Sequence, residues 1–118
     1  MIRGLIAVGA INGGIAVAAG AFGAHGLRDK ISQHSLEVYE TAVRYQMFHA
    51  LAMILCAVVA TSGARTAGWL FQAGIILFSG SLYLLALTET KWLGAITPVG
   101  GLSFLAGWAA LAWSALRG

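Results

Sequence analysis

Apolar positions along this chain gather into four runs separated by short polar stretches, and each run is too continuous to be the one-sided stripe of a helix bathed in water. The runs cover roughly residues 5–24, 47–60, 69–87 and 98–116. A helix needs about 20 mainly apolar residues to cross a hydrocarbon core. Three runs meet that length and the second falls short. The polar segment before it, residues 25–46, holds Arg28, Asp29, Lys30, His34, Glu37, Glu40 and Arg44, yet its second half places Leu36, Tyr39, Val43 and Met47 on one helical face. This predicts an amphipathic interfacial helix, N-capped by Ser35, that runs without a break into the second span and makes up for its short apolar length. Residues 61–64 predict a turn, after which Trp69 opens the third span at the headgroup level. Thr88 to Trp92 predict the next turn. Thr97 as N-cap and Pro98 at the first helical position predict the start of the fourth span, closed by Arg117.

The pattern therefore predicts an all-α, polytopic membrane protein: one domain over residues 1–118, four transmembrane helices in a compact bundle, and an interfacial amphipathic helix between the first and second spans. Composition agrees, since 59% hydrophobic against 9% charged residues is far from the balance of a soluble domain. The first run also has the outline of a signal peptide, with Arg3 before it and Ala16 and Ala18 at a cleavage-like spacing. Its full-span length and its glycines favour a retained helix. The net charge of +3 does not point to nucleic acid, because the seven basic residues stand singly at the ends of apolar runs. They suit lipid headgroups instead. Arg3, Arg65 and Arg117 fall on one side and Arg28, Lys30, Arg44 and Lys91 on the other, so the positive-inside rule leaves the orientation open. Cys56 is the only cysteine and lies within an apolar run, which excludes an internal disulfide.

Candidate chemistry is sparse. Asn12, in the middle of the first span, needs a hydrogen-bond partner on a neighbouring helix. Ser79 and Tyr83 share a face of the third span, with Gly80 between them. Tyr45, Gln46 and His49 cluster within about a turn of the second, and His49, Met53 and Cys56 recur on one face as donors that a soft metal accepts. A histidine at the membrane boundary, satisfied by Tyr45, Gln46 or a headgroup, accounts for His49 more simply. His25, between Gly23 and Gly26, and His34 lack metal-ligand spacing. No serine-hydrolase elbow, phosphate loop or paired carboxylate is present, and no Asp, Glu, Lys or Arg lies deep in a span as an ion-coupled carrier requires. Gly9, Gly13, Gly20, Gly80 and Gly101 stand as helix-packing positions, Gly9 and Gly13 at the small-xxx-small spacing that lets backbones approach in lipid.

Four ordered blocks, GAFGAHGL from Gly20, YQMFHALA from Tyr45, FSGSLYLLALT from Phe78 and ITPVGGLSFLAGW from Ile96, resemble the small bacterial membrane proteins grouped as domain of unknown function 423, a family related to the eukaryotic transmembrane protein 256 family. The resemblance covers nearly the whole chain and implies a multi-pass protein of the bacterial inner membrane. The family name assigns no activity, so no catalytic residue is carried over. His25, Tyr45, Gln46, His49, Ser79, Gly80, Tyr83, Pro98 and Gly101 match the blocks and stand as candidates for the shared role.

The reading that follows is a non-enzymatic accessory or scaffold protein, with no metal, cofactor or nucleic acid, whose partners are lipids and a second copy or a larger membrane complex. Two alternatives remain: a permease or channel for a small uncharged solute with a path between protomers lined by Asn12, Ser79 and Tyr83, and a metal- or cofactor-binding protein using His25 and His49.

Overall fold

The computed structural model describes residues 1–117. Helix α1 (Arg3–Phe22) ends in a π-helical turn, Gly23–Leu27, and α2 (Gln33–Val59) returns across the molecule. Helix α3 (Ser62–Gly74) passes through a second π-helical turn, Ile75–Ser79, into α4 (Gly80–Thr88), so the two make one continuous rod. A 3-10 turn, Lys91–Ala95, leads into α5 (Thr97–Leu116). These rods make four helices long and apolar enough to cross a membrane.

Residues 33–46 of the polar stretch before the second span are the first half of α2. At 27 residues this helix is about 40 Å long, and the amphipathic segment and the apolar span form one unbroken element. Its cap lies three residues before the expected one: Ser32 Oγ accepts from the Ser35 N–H at 3.0 Å, leaving Ser35 inside the helix and buried. The turn between α2 and α3 is likewise shorter than residues 61–64 suggested. Ala60 takes the left-handed conformation at φ 61° and Thr61 Oγ1 accepts from the Ala64 N–H, so Ser62 already begins α3. At the fourth span Thr97 is not the cap. Its Oγ1 lies 2.6 Å from Ser81 Oγ, tying α5 to α4, and the 3-10 turn before it has already brought Ile96 into helical conformation. Pro98 does sit in the first turn of α5.

Helix α2 packs against α1 on one side and the α3–α4 rod on the other, and α3 carries α5, so α1 and α5 are the outer helices. Two apolar clusters form the core. The larger is built by Leu5, Met53, Cys56, Phe71 and Phe104, at the end of the molecule where the Ile2 N–H donates to the Ala57 carbonyl. Leu27, Leu36, Tyr39 and Ala86 make the smaller one at the other end. Close approach rests on glycines whose added Cβ would strike a neighbour: Gly68 would meet Leu5 Cδ1 at 2.6 Å, Gly107 would meet Phe71 Cε1 at 2.5 Å, and Gly100 lies directly on the Leu77–Phe78 backbone.

Candidate functional site

Polar side chains from four helical segments converge between the two apolar clusters. Asn12 of α1 is the hub. Its Nδ2 donates to Gln72 Oε1 of α3 at 2.7 Å and to its own helix at the Val8 carbonyl at 3.0 Å, while its Oδ1 accepts from Gln46 Nε2 of α2 at 3.1 Å. Gln46 Oε1 in turn accepts from the Tyr83 hydroxyl of α4 at 2.7 Å. Tyr83 packs edge-on against Tyr39 with ring centroids 5.2 Å apart, and the Tyr39 hydroxyl donates to the Ala19 carbonyl at 2.6 Å. Asn12 reaches the larger core cluster through Met53 Sδ, 3.9 Å away. The bonds run in sequence from Gln72 through Asn12 and Gln46 to Tyr83, which is how buried amides are tolerated where no water can serve them.

Ser79 lies apart from this chain: fully buried, it donates to the Ala42 carbonyl of α2 at 2.9 Å and pins the π-helical turn to that helix. Ser103 does the same for α5, donating to the Leu70 carbonyl at 2.7 Å. Asn12, Ser79 and Tyr83 are thus turned inward within one protomer, each committed to a partner.

A second group surrounds His49. Because α2 begins at Gln33, the residue falls in the middle of the helix and is 4% exposed. Its Nδ1 lies 2.7 Å from the Tyr45 carbonyl, and Trp108 Nε1 of α5 donates to its Nε2 at 3.1 Å. A carbonyl can only accept and an indole N–H can only donate, so this arrangement holds a neutral imidazole with its proton on Nδ1. The ring stacks on Phe104 with centroids 3.6 Å apart and 10° between planes. Phe71 and Tyr45 complete the aromatic surround. Tyr45 is half-exposed, and with Phe78, Pro98, Leu102, Leu105 and Trp108 it borders an apolar groove of about 540 Å³ between α2 and α5.

His25 is exposed on the π-helical turn, away from His49. Of the packing glycines named from sequence, Gly9 makes a tight approach within the chain: its added Cβ would lie 2.9 Å from Ile54 Cγ1 and 3.0 Å from the Ala50 carbonyl oxygen. Gly20, Gly80 and Gly101 make ordinary or looser contacts, and Gly13 faces open space. Gln72 and Trp108 are the residues that sequence reasoning passed over. Gln72 had a visible signal, a lone amide inside an apolar run, of the kind that singled out Asn12.

A family model described as protein of unknown function, DUF423, matches residues 19–101. The UPF0382 membrane protein SAB0533 of Staphylococcus aureus is 54% identical over 106 residues, 87% of each chain. The UPF0382 membrane protein YwdK of Bacillus subtilis is 48% identical over 117 residues, 95% of each chain. No solved structure matches the chain. With its four membrane-length helices and relatives that are themselves membrane proteins, this chain belongs to the DUF423 family of small multi-pass membrane proteins.

Proposed function

We propose that this protein is a non-enzymatic element of the bacterial cytoplasmic membrane that acts by side-by-side association, with itself or within a larger membrane complex. The observation that carries the reading is the contrast between interior and surface. Among the described residues no buried side-chain nitrogen or oxygen lacks a hydrogen-bond partner, so the polar interior is committed to holding the helices together. The outer helices, by contrast, bury little of themselves: 22% of the most apolar stretch of the first span and 17% of the last, against 44% of the second. On α1, Gly13 and Gly14 have nothing within 4 Å of where a Cβ would stand. A helical glycine costs about 1 kcal/mol relative to alanine. Packing inside the chain offsets that cost at Gly9, but not at these two, and small residues facing lipid favour close approach of another helix.

A Cβ at Gly13 or Gly14 meets nothing within 4 Å, so replacing both by leucine tests the outer face, with helical content showing that the fold persists. Native mass spectrometry from nanodiscs and cross-linking in membranes should show a discrete homo-oligomer or hetero-complex for the natural chain and its loss in the double variant. A monomer throughout, or an unchanged assembly, would overturn the reading.

The groove beside His49 favours a second reading, retention of a long apolar molecule from the bilayer. Its walls are aromatic and aliphatic and it opens on the lipid-facing side of α5, where Leu102 and Leu105 are exposed. The same mass spectra should then show one stoichiometric lipid that disappears when Leu105→Trp fills the groove.

A further inference from the structure

We propose that Gln72 joins two copies of this chain through a reciprocal pair of amide hydrogen bonds in the middle of the membrane. The inference rests on the association reading above and names both the partner and the contact.

Gln72 uses half of its amide inside the protomer, where Oε1 accepts from Asn12 Nδ2 at 2.7 Å. The other half is a nitrogen with two hydrogens, and among the described residues no acceptor receives either of them. Since no buried side-chain nitrogen lacks a partner, the Gln72 Nε2 is at the surface. That surface is membrane. Arg65, Trp69 and Ile76, seven and three residues before Gln72 and four after it, share its helical face and are exposed, Trp69 at 42% and Ile76 at 61%. Gln72 stands three residues, about 4.5 Å along the helix, from the midpoint of the 27-residue rod Ser62–Thr88 and so well inside a hydrocarbon layer some 30 Å thick. Water and headgroup oxygens lie at the ends of that layer. An N–H presented to acyl chains is unfavourable, and the acceptor that relieves it has to come from another membrane-embedded group.

A second copy supplies that acceptor. Gln72 Oε1 keeps a free lone pair after Asn12 has taken one. Two copies inserted the same way carry the residue at the same depth, and a two-fold axis along the membrane normal turns the two amides to face each other. Each Nε2 then donates one of its two hydrogens to the partner's Oε1, so one contact satisfies one surplus hydrogen on each copy. Polar side chains in lipid drive helix association in this way. Trp69 and Ile76 lie on either side of the pair on α3. Trp69 rests against the start of α1, its Cζ2 lying 3.9 Å from where a Cβ of Gly4 would stand, so the seam of α1 and α3 forms one surface, to which exposed Ile11 and Ile15 add apolar area.

The test uses the full chain in liposomes, with Cys56→Ala as background. Single cysteines at Trp69, Gln72 and Ile76 should give oxidative self-cross-links, strongest where the two-fold axis passes, and a cysteine at Ala109 on α5 should give none. Dimer affinity measured by Förster transfer at dilute protein-to-lipid ratios should fall about 3- to 15-fold in Gln72→Leu, with helical content and thermal midpoint showing that the fold persists. If Gln72→Leu fails to fold, the cross-links at Trp69 and Ile76, which leave Gln72 in place, decide alone. A Gln72→Leu variant that folds and dimerises like the natural chain overturns the amide pair. Should Gly13→Leu/Gly14→Leu still break the assembly in that case, association itself survives. Cross-links from Trp69 or Ile76 to a different protein only would overturn the second copy as occupant, and a monomer at every lipid ratio would overturn both inference and reading.

Discussion

Asn12 is bonded at both ends of its amide to other helices, as Gln46 is, and its Nδ2 also bonds back to its own helix at Val8. Single interhelical hydrogen bonds in membrane proteins contribute about 0.6 kcal/mol on average and up to about 1.7. Asn12→Leu removes two and leaves Gln46 Nε2 and Gln72 Oε1 without their partner, so a loss of about 1 to 3 kcal/mol is expected in detergent unfolding equilibria. Tyr83→Phe takes away only the terminal donor and should cost less, about 0.5 to 1 kcal/mol. A reversed order would show that the chain of bonds is not anchored at Asn12. Trp108→Phe keeps an aromatic ring on His49 but deletes the donor to its Nε2, with an expected loss of about 1 kcal/mol by the same assay. The sequence marked Asn12 as needing a partner on a neighbouring helix, placed Gln46 and Tyr83 among the candidate polar residues, and left His49 to Tyr45, Gln46 or a headgroup. What it could not give was who bonds whom. Spacing along a helix reports neighbours on that helix, whereas Asn12 and Gln72 are 60 residues apart.

At the scale of elements, the four hydrophobic runs were plain in the sequence because a membrane span is selected by length and apolarity alone. Their ends were harder to read. Ser32, Ser35, Thr61, Ser62 and Thr97 all carry side chains able to cap, and propensity does not choose between two nearby hydroxyls when tertiary bonds compete. Ser32 took the cap of α2, and Ser81 took the hydroxyl of Thr97. The short second run also pushed His49 toward a boundary, since the amphipathic stretch before it was expected to lie at the interface, whereas Gln33–Val59 is one unbroken helix with His49 near its middle. Glycines divide in a testable way. Gly100→Ala would press a methyl onto the backbone at Leu77–Phe78, which cannot swing aside as a side chain can, so α5 must lift from the π-helical turn. A lower thermal midpoint in detergent and loss of the Trp108 contact are expected. Gly13→Ala meets no atom within 4 Å and should leave the monomer's stability unchanged or raise it by up to about 1 kcal/mol.

At the scale of the whole molecule, the two ends of the bundle are defined by cross-helix contacts. Ile2 bonds to Ala57, and Thr61 Oγ1 lies 2.7 Å from Ser114 Oγ, which brings Arg3, Arg65 and Arg117 to one end. Lys91 shares a surface pocket with His34 at the other, beside the turn that carries Lys30. With the basic residues so evenly divided, charge gives the insertion machinery little to act on, and orientation has to be measured. Cys56 is fully buried and should stay unlabelled by a membrane-impermeant maleimide until the protein is denatured. In a Cys56→Ala background, cysteines replacing Arg3, Arg65 and Arg117 should label together from one face of the membrane, and those replacing Lys30 and Lys91 together from the opposite face. Complementary labelling of the two sets means that every copy is inserted one way, the arrangement that a two-fold axis along the membrane normal requires for Gln72. If each position labels partly from both faces, copies are inserted in both directions, and parallel pairing through Gln72 becomes available only to the copies that share an orientation.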